Sequence, residues 1–356
     1  MNAAKIENLK VLYSTYPAAF QIYGGAEIQL LKTKENIEKI SGCKIKLFDM
    51  FDDRLNQYDL LHVFYMQPDN LLLSQTAKRV GLKFVLSPVY WKEHAKATDI
   101  IGPLAFMRFY SNLKRYKFAT SQEVFPWKDF LELADMILPN SKMEADQLSR
   151  DFKINSKKFW VVPNGVEERF ASADPSLFLE KYGVADFVLY VARIMKRKNP
   201  LGVIKVCKDL KIPLVVIGAP NIGEEDYFYE CRRVAKSGEN IQMIGFLPHD
   251  SAELSSAYAA AKVFALPSNF ETPGLAALEA GLAGCNLVIT SQGSTKEYFR
   301  ENAWYVDPWS TKDLRVKIES AYGQPKSTKL KKLILENYTW KKAAEKTLEA
   351  YKSILS

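Results

Sequence analysis

Cysteine and histidine are scarce in this chain, four and three respectively in 356 residues. Cys43, Cys207, Cys231 and Cys285 form no CxxC pair, which removes a zinc ribbon and a thioredoxin-type redox site. Four scattered thiols in a chain of this length do not make a disulfide scaffold. His62, His94 and His249 lack metal-site spacing. No Asp-x-Asp pair occurs, so a divalent ion bridging a diphosphate has no obvious ligands. Long apolar runs are also missing. The best candidates are cut by Lys262 and Glu279, short of the ~18–20 residues of a membrane span. The opening MNAAKIENLKVLYS lacks the basic-then-apolar order of a signal peptide. GxGxxG and GxSxG do not occur, and Ile217–Gly223 lacks the Lys-Ser/Thr of a P-loop. No helix-turn-helix or RNA-binding motif is present. These absences predict a reduced, cytoplasmic protein that does not bind nucleic acid.

What is present is ordinary globular material, 47% apolar and 25% charged, with a net charge of +8. The length predicts two domains. Short runs rich in Val, Ile, Leu and Phe recur at 9–14, 45–48, 60–65, 83–87, 136–139 and 159–162, then at 187–192, 213–218, 241–246, 263–267 and 286–290. They do not alternate polar with apolar, as suits parallel strands buried on both faces. Helix-length stretches lie between most of them, such as 26–40, 141–152, 200–210 and 275–283, so the class is α/β with parallel sheets. The turn Pro163-Asn164-Gly165 divides the runs into two series. Domains are therefore expected at 1–165 and 166–339, with a strongly amphipathic last helix at 340–356.

In open α/β sheets ligands sit beyond the carboxyl ends of the strands. Four post-strand loops stand out. The stretch Glu271-Thr272-Pro273-Gly274-Leu275 opens a helix that carries Glu279. A strand, a loop and a helix N-terminus form an anion site. Gly274 lets the backbone approach a ligand, and Pro273 suits a first helical turn. Eight-residue spacing places Glu271 and Glu279 on one side, where carboxylates accept sugar hydroxyls. Read alone, they are also a dipole partner and a solvated residue. Residues 193–198 hold Arg193, Lys196, Arg197 and Lys198 with no carboxylate. This is a diphosphate clamp or a solvated basic loop. Tyr23-Gly24-Gly25-Ala26-Glu27 opens the first long helix, and Gly293–Glu297 follows the 286–290 run. Either is also an ordinary turn.

Taken in order, these motifs resemble the family 4 retaining glycosyltransferases of GT-B fold, over nearly the whole chain. The resemblance rests on Gly24–Glu27, Leu138-Pro139-Asn140-Ser141, Val162-Pro163-Asn164-Gly165-Val166, Arg193 with Lys198, and Glu271 to Glu279 followed by Ala280 and Ala283-Gly284. It implies two Rossmann-like domains facing across a cleft, the acceptor on the N-terminal one and a nucleotide-sugar donor on the C-terminal one. The last helix returns to pack on the N-terminal domain. Arg193 and Lys198 neutralise the departing diphosphate, Glu271 meets sugar hydroxyls and Glu279 the ribose. Backbone at Thr272, Pro273, Gly274 and Leu275 holds phosphate and sugar, Gly24 and Gly25 close over the diphosphate, and Gly245 with Phe246 flanks the base. No metal or further cofactor is implied.

The implied activity is metal-independent transfer of a sugar, with retention, to a glycan or lipid-linked acceptor in bacterial surface polysaccharide synthesis. A GT-B nucleotide-sugar 2-epimerase and a non-catalytic sugar-nucleotide binder are the alternatives. Two features depart from the family. Pro273 stands where an aromatic is frequent, and the stretch after the fourth strand, Leu86–Trp91, lacks the histidine many members carry; the nearest is His94. Residues 106–110 and 114–117 mix aromatics and cations. They read equally as an interfacial segment at the inner membrane face or as a buried helix with a basic outer side.

Overall fold

Runs of branched and aromatic residues build two all-parallel sheets. The computed structural model describes residues 7–21, 24–91 and 126–356. The first sheet comprises β1 (Lys10–Ser14), β2 (Lys44–Leu47), β3 (Leu60–Phe64), β4 (Lys83–Ser87) and β5 (Met136–Ile137), in the order β2-β1-β3-β4-β5. Every residue of β3 is buried, because helices cover both faces. These are α1 (Gly25–Ser41), α2 (Asn70–Arg79), α3 (Trp127–Leu133) and α4 (Lys142–Phe152). The run at 159–162 was expected as a further strand. Only one bridge forms there, Ile137 to Phe159. Trp160 N–H donates to Ile137 O and Val162 N–H to Pro139 O, but the return bond from residue 139 has no donor because proline has no N–H.

The second sheet comprises β6 (Val188–Val191), β7 (Leu214–Ile217), β8 (Ile241–Gly245), β9 (Val263–Leu266), β10 (Asn286–Thr290) and β11 (Trp304–Val306). Its order is β11-β10-β9-β6-β7-β8, that of a dinucleotide-fold sheet. The edge strand β11 was not expected; it is three residues long with two half-exposed aromatics, too short a run to stand out. Helices α5 (Ser176–Tyr182), α6 (Pro200–Leu210), α7 (Glu225–Lys236), α8 (Ala252–Ala260), α9 (Leu275–Leu282), α10 (Thr295–Phe299), α11 (Thr311–Tyr322) and α12 (Thr328–Asn337) surround this sheet. Two parallel-sheet Rossmann-like units in series make the GT-B architecture.

Among the described residues the chain crosses between the units twice, and the crossings touch. Val166 bridges Thr339. A Cβ at Gly165 would lie 2.4 Å from Trp340 N, so only glycine fits the crossing. Thr339 then caps α13 (Trp340–Leu355), accepting from Lys342 N–H at 3.3 Å. Helix α13 returns to the first unit, where Trp340, Ala344, Leu348 and Tyr351 share a buried cluster with Leu30 and Ile37 of α1. The hydroxyl of Tyr351 lies 2.6 Å from His62 Nδ1 and 3.0 Å from Tyr13 Oη, and His62 Nε2 lies 2.9 Å from Ser87 Oγ. Four polar side chains thus pin the helix to β1, β3 and β4 inside the core. No helix among the described residues is long and apolar enough to cross a membrane.

Burial lowers the pKa of His62 from 6.5 to about 3. The unfolded chain takes up a proton near its ordinary pKa that the native core refuses, so stability falls as pH drops below that value. Between pH 7 and pH 5, the unfolding free energy of the wild type should fall by about 2 kcal/mol more than that of His62→Gln. Urea denaturation at both pH values measures this; parallel slopes would contradict a neutral buried imidazole.

Candidate functional site

In the second sheet β6 and β9 are neighbours, and the order of strands reverses between them. Crossovers from the two strands leave in opposite directions and open a crevice at their carboxyl ends. The basic loop follows β6 and the Glu271 loop follows β9, so the topology brings both to one place. Residues Lys196–Lys198 form a 3₁₀ turn. Asn199, in the left-handed region at φ 52°, ends the turn and accepts from Gly202 N–H at 3.1 Å, capping α6. This fixes where Lys198 points. Its Nζ donates to Glu271 Oε1 at 2.5 Å.

Glu271 is 5% exposed. Its backbone N–H donates to Gln292 O at 3.3 Å, and its carbonyl accepts from Ser294 N–H at 3.0 Å. A Cβ at Gly293, where φ is 92°, would lie 2.0 Å from Glu271 O. The Gly293 turn therefore holds the glutamate loop and is not an ordinary turn. Gly274, at φ 87°, caps α9, which begins at Leu275. Two expectations are corrected here. Pro273 precedes the cap and is not in the first helical turn. Glu271 lies in the loop, as expected, and for that reason helical spacing does not govern its relation to Glu279. Burial lowers the pKa of Lys198; Glu271 opposes that shift, and the nearby Arg197 and Arg193 add to it. Arg197 Nη1 donates to Phe270 O at 3.0 Å, tying the two loops again.

The first unit faces this crevice. A methyl at Gly24 would lie 3.9 Å from Arg193 Nη2, and one at Gly25 would lie 3.6 Å from Leu275 Cδ1. Glu27, three residues into α1, accepts from Gly24 N–H at 2.7 Å and from the Tyr16 hydroxyl at 2.6 Å, which holds the glycine pair in place. Trp91 stacks on Phe270 with centroids 5.7 Å apart, and the Arg197 guanidinium lies 5.1 Å from its ring centre. The structure therefore gathers Gly24, Gly25, Arg193, Lys198, Glu271, Thr272, Pro273, Gly274 and Leu275 at one seam. Gly245, at φ 95°, and the exposed Phe246 end β8, two strands further along the sheet from β6. Tyr23, His94 and the segments 106–110 and 114–117 lie outside the described residues.

Glu279 is buried, which removes the solvated alternative. His249 Nε2 approaches its Oε1 at 2.7 Å, and the Tyr258 hydroxyl donates to its Oε2 at 2.8 Å. Sequence reasoning missed this histidine, since a lone His in a loop carries no spacing signal. It also missed the ties across the seam. Glu297 accepts from the N–H groups of Lys142 at 2.7 Å and Met143 at 3.2 Å, capping α4 from the other unit. The Tyr298 hydroxyl donates to Asn140 O at 2.6 Å and accepts from Asn164 N–H at 2.9 Å. Glu144 accepts from Tyr90 and Asn140 N–H groups, both at 2.6 Å, and burial pushes its carboxyl up to about 7. The Ser141-x-x-Glu144 capping pattern was the available signal for that residue.

Residues 178–340 match the family model described as glycosyl transferases group 1. The match takes in β6 to β11, a little under half of the chain, and includes both Lys198 and Glu271. Among curated relatives, a D-inositol 3-phosphate glycosyltransferase of Actinosynnema mirum is 30% identical over 174 residues, 45% of this chain and 42% of that protein. One from Rhodococcus jostii is 26% identical over 242 residues, 62% of this chain and 52% of that protein. The matches thus span about half the length of these relatives. Over the whole fold, Anabaena HepE, crystallised with UDP and glucose, superposes with a TM-score of 0.72 at 16% identity, covering 97% of this chain and 100% of that one. Sucrose-phosphate synthase of Thermosynechococcus elongatus superposes at 0.71 and 16%, covering 97% and 99%.

Within residues 178–340 the Lys198–Glu271 pair is an ion pair at 2.5 Å with both side chains largely buried. Removing one partner of a buried pair strands the other charge. Lys198→Met should destabilise the protein by about 3 kcal/mol. The double variant Lys198→Met/Glu271→Gln should lose at least about 1 kcal/mol less than the two single losses added together. Urea denaturation of the four proteins tests this; simple additivity would show that the pair is not coupled.

Proposed function

We propose that the chain is a glycosyltransferase that moves a sugar from a nucleotide-sugar donor to a glycan or lipid-linked acceptor, with retention of anomeric configuration and without a metal. The observation that carries this reading is Lys198 paired with a buried Glu271, with Arg193 and Arg197 alongside, at the N-terminal end of α9 and opposite Gly24 and Gly25. Breaking a glycosidic bond to a diphosphate moves negative charge onto the leaving group. Fixed cations and helix N–H groups aimed at that charge stabilise the transition state without reorganising. Arg193 and Lys198 take the diphosphate, with the backbone of Thr272–Leu275 at phosphate and sugar. Glu271 is then shared between Lys198 and a sugar hydroxyl. Glu279 serves the ribose, Gly245 and Phe246 border the base, and Gly24 and Gly25 close the site.

Retention follows from attack on the same face through an oxocarbenium-like state, with no carboxylate nucleophile assigned. The acceptor belongs to bacterial surface polysaccharide and is met in the cytoplasm or at the inner membrane face. Inositol phosphates, named for the curated relatives, are tried beside it.

The test has two stages. UDP-, GDP-, ADP- and CDP-sugars are screened by thermal shift, where a ligand of the folded state raises Tm. With the selected donor, Glu271→Ala and Lys198→Ala should each lower transfer by on the order of 10²–10³-fold with the fold retained. Near-wild-type rates in both variants contradict the site. Hydrolysis or epimerisation with no acceptor product contradicts the transferase reading.

A further inference from the structure

His249 lies in the loop that leaves β8, three residues after Phe246, and belongs to none of the motifs that identify the domain. Its ring bridges two carboxylates. Nε2 is 2.7 Å from Glu279 Oε1, and Nδ1 is 3.8 Å from Glu167 Oε2. The backbone carbonyl of His249 accepts from Arg169 Nη2 at 2.6 Å, and Phe170 meets the ring edge-on at 6.0 Å. Glu167 lies at the crossing between the units and accepts from Lys32 Nζ of α1 at 2.8 Å. A line of polar contacts therefore runs from the first unit through the crossing to the buried carboxylate of α9.

Glu279 has one donor on each oxygen, His249 on one and Tyr258 on the other. A carboxylate accepts about four hydrogen bonds, so each oxygen keeps a lone pair for a ligand hydroxyl. The two donors set the plane in which those lone pairs lie. Tyr258 is wholly buried and cannot adjust, whereas the His249 side chain is 33% exposed, at the boundary between core and solvent. It also ties the loop bearing Gly245 and Phe246 to the helix bearing Glu279, so the base-side and ribose-side elements move together.

We propose that His249 is a positioning residue of the donor site. By donating from Nε2 it holds Glu279 in the orientation that accepts ribose hydroxyls, and thereby sets selectivity for ribonucleotides. The proposal rests on the nucleotide-sugar reading above. The charged groups facing the ring are Glu279 from α9, and Glu167 and Arg169 from the crossing segment. The Glu279 hydrogen bond raises the histidine pKa, burial lowers it, and the net direction is upward. The imidazolium form, with its charge-assisted bond, is present at low pH and is lost as pH rises through that elevated pKa.

The experiment is calorimetric titration of the full chain, wild type, His249→Ala and His249→Gln, with UDP, GDP, ADP and CDP, their 2′-deoxy counterparts and inorganic pyrophosphate. In the wild type one ribonucleotide should bind about tenfold more tightly than its deoxy form, the worth of one such hydrogen bond. His249→Ala should reduce that preference to about twofold or less, and His249→Gln, which keeps a side-chain N–H, should restore it. Pyrophosphate affinity should be the same in all three. The wild-type preference should decline as pH is raised through the histidine pKa, because the neutral ring has one N–H to divide between Nδ1, toward Glu167, and Nε2, toward Glu279, and should stay flat in His249→Gln. An undiminished ribose preference in His249→Ala overturns the positioning role while leaving the donor site standing. If none of the four ribonucleotides binds the wild type, the nucleotide-sugar reading falls and this inference falls with it. Should His249→Ala fail to fold, the pH series on the wild type and His249→Gln decides the matter, and identical profiles overturn the proposal.

Discussion

A carboxylate taken out of water costs several kcal/mol unless a cation and hydrogen bonds meet it, and at Glu271 that constraint organises the second half of the molecule. The Lys198 ammonium answers it at 2.5 Å. For the two to meet, β6 and β9 must be adjacent, their loops must leave the sheet at the same end, and each loop must be held. Asn199 holds one in a left-handed cap, and Gly293 holds the other through a contact that no side chain could share. The Rossmann-type strand order supplies the adjacency. Its reversal between these two strands leaves the crevice open above the pair, so a buried ion pair lies where a ligand would sit.

The first unit completes what the second begins. Gly24 and Gly25 approach Arg193 and Leu275 closely because they lack side chains. Trp91 reaches over to Phe270 and Arg197. Polar ties on the far side, from Glu297 to the α4 N-terminus and from Tyr298 to Asn140 and Asn164, hold the two units in register. The double crossing at Val166 and Thr339, with α13 packed on α1, closes the circuit. Polar ties and apolar contacts both cross this seam, the latter at Trp91–Phe270 and Gly25–Leu275.

Most of this architecture was legible in the sequence wherever a signal is local. Buried parallel strands announce themselves as unalternating apolar runs, and ten of the eleven strands among the described residues are legible that way. The exceptions have local causes, Pro139 removing a donor opposite residues 159–162 and β11 being too short to show a pattern. The loops of the site were found because glycines, cations and carboxylates cluster after strands. What the sequence hid depends on distant partners. Nothing near Glu279 announces that His249, thirty residues earlier, and Tyr258 occupy its oxygens. Nothing near Glu297 shows that it caps a helix 155 residues away. Helix phase also misled, because a helical spacing was applied between Glu279 and a Glu271 that lies in the loop before the helix.

The central claim is that one anion site is assembled from both units at this seam. Hydrogen–deuterium exchange of the full chain, with and without UDP, tests it most directly. Slowed exchange should appear together in residues 24–28 of the first unit and in 193–199 and 271–279 of the second, since all three segments gather around the Lys198–Glu271 pair. Protection confined to one unit, or centred on loops outside these segments, would contradict a shared site.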